Sequence, residues 1–111
     1  MTRREFRRNL KRFPDEATLL HCLRQIGIHR ANWVGDLLAD LDAPDFDLES
    51  YFCQDDANGN YLSEVKVSGD RLAFDFGDCY GGECGSGNRY VFRLPEYELD
   101  EEETPQTGWI H

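Results

Sequence analysis

Residues 3–13 place Phe6, Leu10 and Phe13 at i, i+4 and i+7, the spacing of one helical stripe. Arg3, Arg4, Arg7, Arg8, Lys11 and Arg12 occupy the arc beside that stripe, and Pro14 ends the helix. Asp15 is placed to cap a second helix, with Thr18 in its first turn. In that helix Leu19, Leu20, Cys22, Leu23 and Ile26 share a face, and Gly27 suits the helix end. A third helix is predicted over about 31–41, from the stripe Trp33, Val34, Leu37, Leu38 and Leu41. Pro44 follows it, and Asp47 can cap a short fourth helix through Phe52.

The period then changes from helical to two. Tyr61, Ser63, Val65 and Val67 alternate with Leu62, Glu64 and Lys66. Ser68-Gly69-Asp70 reads as a turn, after which Leu72, Phe74 and Phe76 alternate with polar neighbours. Tyr90, Phe92 and Leu94 repeat the pattern. Helices first and strands after define an α+β chain. Three to four N-terminal helices are expected to pack on a three-stranded antiparallel meander sheet. The domain is expected to span 1–94, with 95–111 an acidic and polar C-terminal tail.

Composition agrees with one folded domain. The chain has 111 residues, 40% of them hydrophobic and 13% aromatic, which is enough for a core. No apolar run approaches the ~20 residues of a membrane span. The N-terminus has charge but no apolar stretch of a secretory signal, and four cysteines without such a signal point to a reducing, cytoplasmic location.

Three segments invite chemical readings. GDCYGGECGSG, residues 77–87, joins two predicted strands and carries Cys79 and Cys84 with four residues between them. These two thiols are the candidates for metal binding or a redox disulfide, with Cys22, Cys53, His21 or His29 as further zinc ligands. No second closely spaced pair completes the set, and the acidic loop holds thiol pKa values up. The loop also lacks the Lys and following helix of a phosphate cradle, so its simplest reading is a hairpin loop. QDDANGNYLSEV, residues 54–65, has Asp56, Asn58 and Gly59 where a calcium loop would have them. It has Gln54 and Val65 where that loop needs carboxylates. No cysteine–histidine or serine–histidine–aspartate set emerges, so no catalytic residue and no cofactor is assigned.

Charge carries the remaining signal. The whole chain is at −10, against the Lys/Arg excess that coating a nucleic acid requires. The excess is unevenly spread: residues 1–30 are at +5 and residues 31–111 at −15. From 31 to 65 there are nine acidic residues and no Lys or Arg, and from 94 to 111 six acidic and again none. Trp33, Tyr51, Phe52, Tyr97 and Trp109 interleave with these carboxylates, a composition suited to an Arg/Lys-rich protein surface.

The expectation is therefore a small acidic inhibitor, not an enzyme, that occludes the nucleic-acid-binding surface of a basic partner protein. Toxin-immunity and anti-CRISPR or anti-restriction proteins are of this general type. The partner would be a nuclease toxin or a nucleic-acid-binding effector, with no direct nucleic-acid and no membrane contact. The expected contact residues are Asp40, Asp42, Asp45, Asp47, Glu49, Asp55 and Asp56, with Tyr51 and Trp109 as aromatic anchors. Two alternatives stand beside it. One is a metal or redox protein built on Cys79 and Cys84. The other is an adaptor that docks an acidic partner or RNA through its basic first helix.

Overall fold

The structure, a computed structural model, describes residues 2–30, 36–53, 59–80 and 83–103, with the side chains of 78–80 and 83–86 outside that description. Four helices precede four strands: α1 (Arg3–Leu10), α2 (Glu16–His29), α3 (Leu37–Asp42), α4 (Leu48–Phe52), β1 (Gly59–Ser68), β2 (Arg71–Tyr80), β3 (Glu83–Arg93) and β4 (Glu98–Glu103). The strands form one antiparallel sheet in the order β1-β2-β3-β4.

Caps set the helix starts. Thr2 Oγ1 accepts the Glu5 N–H, and Asp15 Oδ1 accepts both the N–H and the hydroxyl of Thr18. The Asp15–Thr18 cap is the one expected from sequence. α3 is shorter than expected; Trp33 and Val34 lie outside the described residues. α4 runs to Phe52 as expected. Asp47 stands at its N-cap position without capping a backbone N–H, and accepts from the Ser50 hydroxyl instead.

The core lies between the helices and one face of the sheet. Leu72, Phe74 and Phe76 on β2 stand beside Phe92, Tyr90 and Asn88 on β3 by register. A run of aromatic contacts links the layers: Phe6 stacks on Phe52, Phe52 meets Phe76 edge-on, and Phe13 meets Phe74 in the same way. Each of these rings is buried, and burying one stabilises the fold by roughly 1.5–3 kcal/mol. α3 approaches α2 closely at Gly27, where a Cβ would stand 2.9 Å from the Leu38 side chain.

Three features depart from the sequence reading. First, alternation in β1 breaks at a bulge. The register shifts between Ser63 and Lys66, Glu64 takes φ 53°, and Leu62 and Val65 both turn into the core. An extra residue in one strand resets the parity of side-chain facing. Second, β2 and β3 continue into the expected loop at 77–87, pairing Gly77 with Gly87 and Asp78 with Ser86. An added Cβ on Gly87 would lie 2.1 Å from the Tyr61 hydroxyl and 2.6 Å from the Phe76 carbonyl oxygen, so only glycine fits there. Third, the sheet has four strands, not three. The fourth, Glu98–Glu103, lies within the segment expected to be a tail.

β4 had no period-two signal because its inward residues are Leu99 and Glu102, three apart. A register shift against Val91 and Phe92 inserts Asp100 between them. The strand is held from α2. The Gln25 side-chain amide donates to the Tyr97 carbonyl at 2.6 Å and accepts the Leu99 N–H at 2.8 Å, so one side chain serves as a short ladder partner.

Candidate acidic docking groove

The segment from α3 to α4 folds back on itself. The Phe46 N–H donates to the Ala43 carbonyl, closing the turn that contains Pro44. The Phe46 ring then rests on Tyr51, centroids 5.5 Å apart, and Tyr51 is buried against Phe52. Asn60 at the start of β1 donates to the Tyr51 carbonyl at 3.3 Å. These contacts fix the floor of a shallow groove of about 490 Å³. Asp40, Asp45 and Asp47 stand around it, with Phe46, Tyr51 and Asn60 beneath.

Four of the expected contact residues therefore line one site: Asp40, Asp45, Asp47 and Tyr51. The three carboxylates are exposed, and among the described residues no cation lies within ion-pairing distance of them. Asp40 is a less willing anion than an ordinary aspartate: partial burial raises its pKa, and the nearby Asp36 raises it further. A positive charge seated here would relieve that repulsion.

The other expected contacts sit elsewhere. Asp42 pairs with Arg24 of α2 at 2.8 Å. Glu49 points to α1, where it receives hydrogen bonds from Arg3 and Arg7. Those bonds hold the Glu49 carboxyl below the usual carboxylate range. Asp55, Asp56 and Trp109 lie outside the described residues. Cys79 and Cys84 belong to β2 and β3, with their side chains outside the description. Of the thiols named as possible companions, Cys22 is fully buried, with a pKa pushed up to about 12 by burial, and Cys53 is half-buried. No group of three or more potential metal ligands occurs among the described residues.

Sequence reading missed Phe46, Ser50 and Asn60 as groove residues. The signal for Phe46 was present in Asp45-Phe46-Asp47, an aromatic between two carboxylates just before a helix. Asn60 reaches the groove only through the pairing of α4 with β1, which no local pattern reports.

A second polar cluster lies on the helix side of β4. Glu102, with a side chain only 14% exposed, accepts from Arg30 Nη1 at 2.8 Å, from Asn88 Nδ2, and faces His29 Nε2 at 3.0 Å. On the opposite face of the sheet, Asp100 joins Arg71 and Arg93, and Asp75 pairs across the strands with Arg89. These carboxylates are structural: each is matched by a cation from a neighbouring element.

The chain is thus a two-layer α+β protein with an acidic groove at its α3–α4 corner whose carboxylates have no ion pair among the described residues. No helix among the described residues is long and apolar enough to cross a membrane. No known protein family, curated protein or solved structure matches the chain.

Proposed function

We propose that this protein is a protein-binding inhibitor whose α3–α4 groove takes basic side chains from the nucleic-acid-binding surface of a target. This is the mode of action of toxin-immunity and anti-CRISPR or anti-restriction proteins. The observation that carries the reading is the contrast within one acidic segment. Asp42 and Glu49 are matched by arginines of the same molecule, while among the described residues Asp40, Asp45 and Asp47 around the Phe46–Tyr51 pair have no ion pair. A fold that needed these carboxylates for its own stability would pair them. Inhibition then follows from occupancy: the groove engages arginines that would otherwise hold phosphates, and the bulk of the domain blocks the cleft.

An octa-arginine peptide is the first probe. It should shift the amide resonances of Phe46, Ser50, Tyr51 and Asn60, and the effect should fade between 50 and 500 mM salt as charges are screened. Targets captured from the native host should lose affinity for a D45K/D47K variant by at least tenfold, through encounter rate and salt dependence. Binding of such a target that ignores salt, or that survives D45K/D47K unchanged, overturns the proposal.

A further inference from the structure

α1 has a second charged surface that the fold leaves unused. Phe6 and Phe13 anchor one side of the helix in the core, and Asn9 donates to the Leu62 carbonyl of β1 at 2.6 Å. Arg3 and Arg7 are held by Glu49. At about 100° per residue, Arg4, Arg8 and Lys11 fall on the side turned away from Phe6, and Arg12 follows just beyond the helix. All four are exposed, and among the described residues none has a carboxylate partner. Arg4 to Lys11 spans about 10 Å of rigid helix. In a chain with 22 acidic residues, four unmatched cations on one ridge make a local field opposite to that of the rest of the molecule.

We propose that this ridge is a docking surface for the phosphate backbone of a double-stranded nucleic acid. Three observations select that occupant. The apolar side of α1 is committed to the core, so the helix has nothing to insert into a bilayer. Among the described residues no large hydrophobic side chain is exposed on α1: the exposed ones are Ile28 and Val67. A protein partner would want such an apolar centre, and a single strand would want rings to stack on, whereas backbone phosphates need neither. Three of the four cations are arginines, which grip phosphate oxygens through two parallel hydrogen bonds. The whole-chain charge still repels nucleic acid, so contact occurs through this edge alone, without base readout. Groove and ridge share no residue and carry opposite charge, so one chain would offer a surface for a basic protein and a separate one for its nucleic acid. The ridge does not depend on the groove reading, and the two fail separately.

The test is fluorescence anisotropy with a labelled 16-base-pair duplex, once as RNA and once as DNA. Four phosphate contacts give a log–log salt slope of about −3.6, so affinity should fall roughly 10²-fold from 50 to 200 mM salt. RNA and DNA of unrelated sequence should bind within a few-fold of each other. An R4E/R8E variant should keep its thermal transition, because among the described residues neither side chain has an ion-pair partner to lose. It should bind the duplex at least tenfold more weakly, with about half the salt slope. D45N/D47N should leave the slope unchanged. Vesicles containing phosphatidylserine and a poly-glutamate peptide serve as competing anions. The proposal is overturned if 50 mM salt gives no duplex binding, if R4E/R8E binds like the parent, or if either competing anion binds as tightly as the duplex.

Discussion

β4 and the α3–α4 corner look alike in composition: both are short, dense in carboxylates and free of Lys and Arg. The fold treats them in opposite ways. On β4, Glu102 is set among Arg30, His29 and Asn88 on the helix side, and Asp100 sits between Arg71 and Arg93 on the other face. At the corner, Asp40, Asp45 and Asp47 surround a groove that no described cation enters. The difference is a matter of neighbours. β4 lies between the end of α2 and the arginines of β2 and β3, so its acids complete the structure. At the corner Arg24 of α2 engages Asp42, and Arg3 and Arg7 of α1 engage Glu49, which leaves no described cation in an ion pair with Asp40, Asp45 or Asp47. Acidic content is therefore two properties in this chain, one that builds the sheet edge and one that the described residues leave without an ion pair.

Replacing Glu102 with alanine should show the largest stability effect of any carboxylate substitution. It removes the acceptor of the buried Asn88 amide and a part-buried ion pair with Arg30. Hydrogen bonds to charged groups contribute about 1.5–3 kcal/mol, so a loss of about 2 kcal/mol is expected, and with it a fall in Tm on the order of 10 °C. Asp45→Asn should stay within about 0.5 kcal/mol of the parent, as exposed surface changes do. Equal effects at the two positions in a thermal melt would erase the distinction between them.

The Gln25 clamp comes next. Gln25→Ala deletes two half-buried hydrogen bonds, to the Tyr97 carbonyl and the Leu99 N–H, at a cost of about 1–2 kcal/mol. The loss should be local. Amide exchange should quicken along β4 while β2 and the core of α2 keep their protection. A uniform increase across the sheet would mean that β4 is not a separately anchored element.

These two regions also show where the sequence was legible. The Asp15–Thr18 cap, the Phe6–Phe13 stripe and the alternation of Leu72, Phe74 and Phe76 are local patterns with local causes, and they were readable as such. Glu102 was not, because its partners Arg30 and His29 lie more than seventy positions away in the chain at the end of α2, and a strand that turns a glutamate inward carries no apolar signal. The bulge at Glu64 hides in the same way, since a single inserted residue moves Val65 to the core without altering composition. At the corner, aromatic and acidic residues in one segment marked the stretch that lines the groove. They could not separate Asp45 from Asp42 or Glu49, because only the packing of α2 and α1 against that segment decides which acids are paired.

The smallest effect is a difference in the sign of pH dependence between two acids of the same segment. The Glu49 pKa is lowered in the fold by Arg3 and Arg7, so its contribution is present above the ordinary carboxylate pKa and is lost as pH falls below it. The Asp40 pKa is raised, by partial burial and then by Asp36, so ionising it weakens the fold as pH rises through the raised value. Glu49→Gln should therefore lower stability at neutral pH and flatten the acid limb of a stability–pH profile. Asp40→Asn should hold or slightly raise stability at neutral pH and leave the acid limb in place. Denaturant midpoints at pH 3.5, 5 and 7 read both. If Asp40→Asn lost stability at pH 7 as Glu49→Gln does, Asp40 would be a structural carboxylate like those of β4. The groove would then lose its claim to be the part of the molecule left open for a cation from outside.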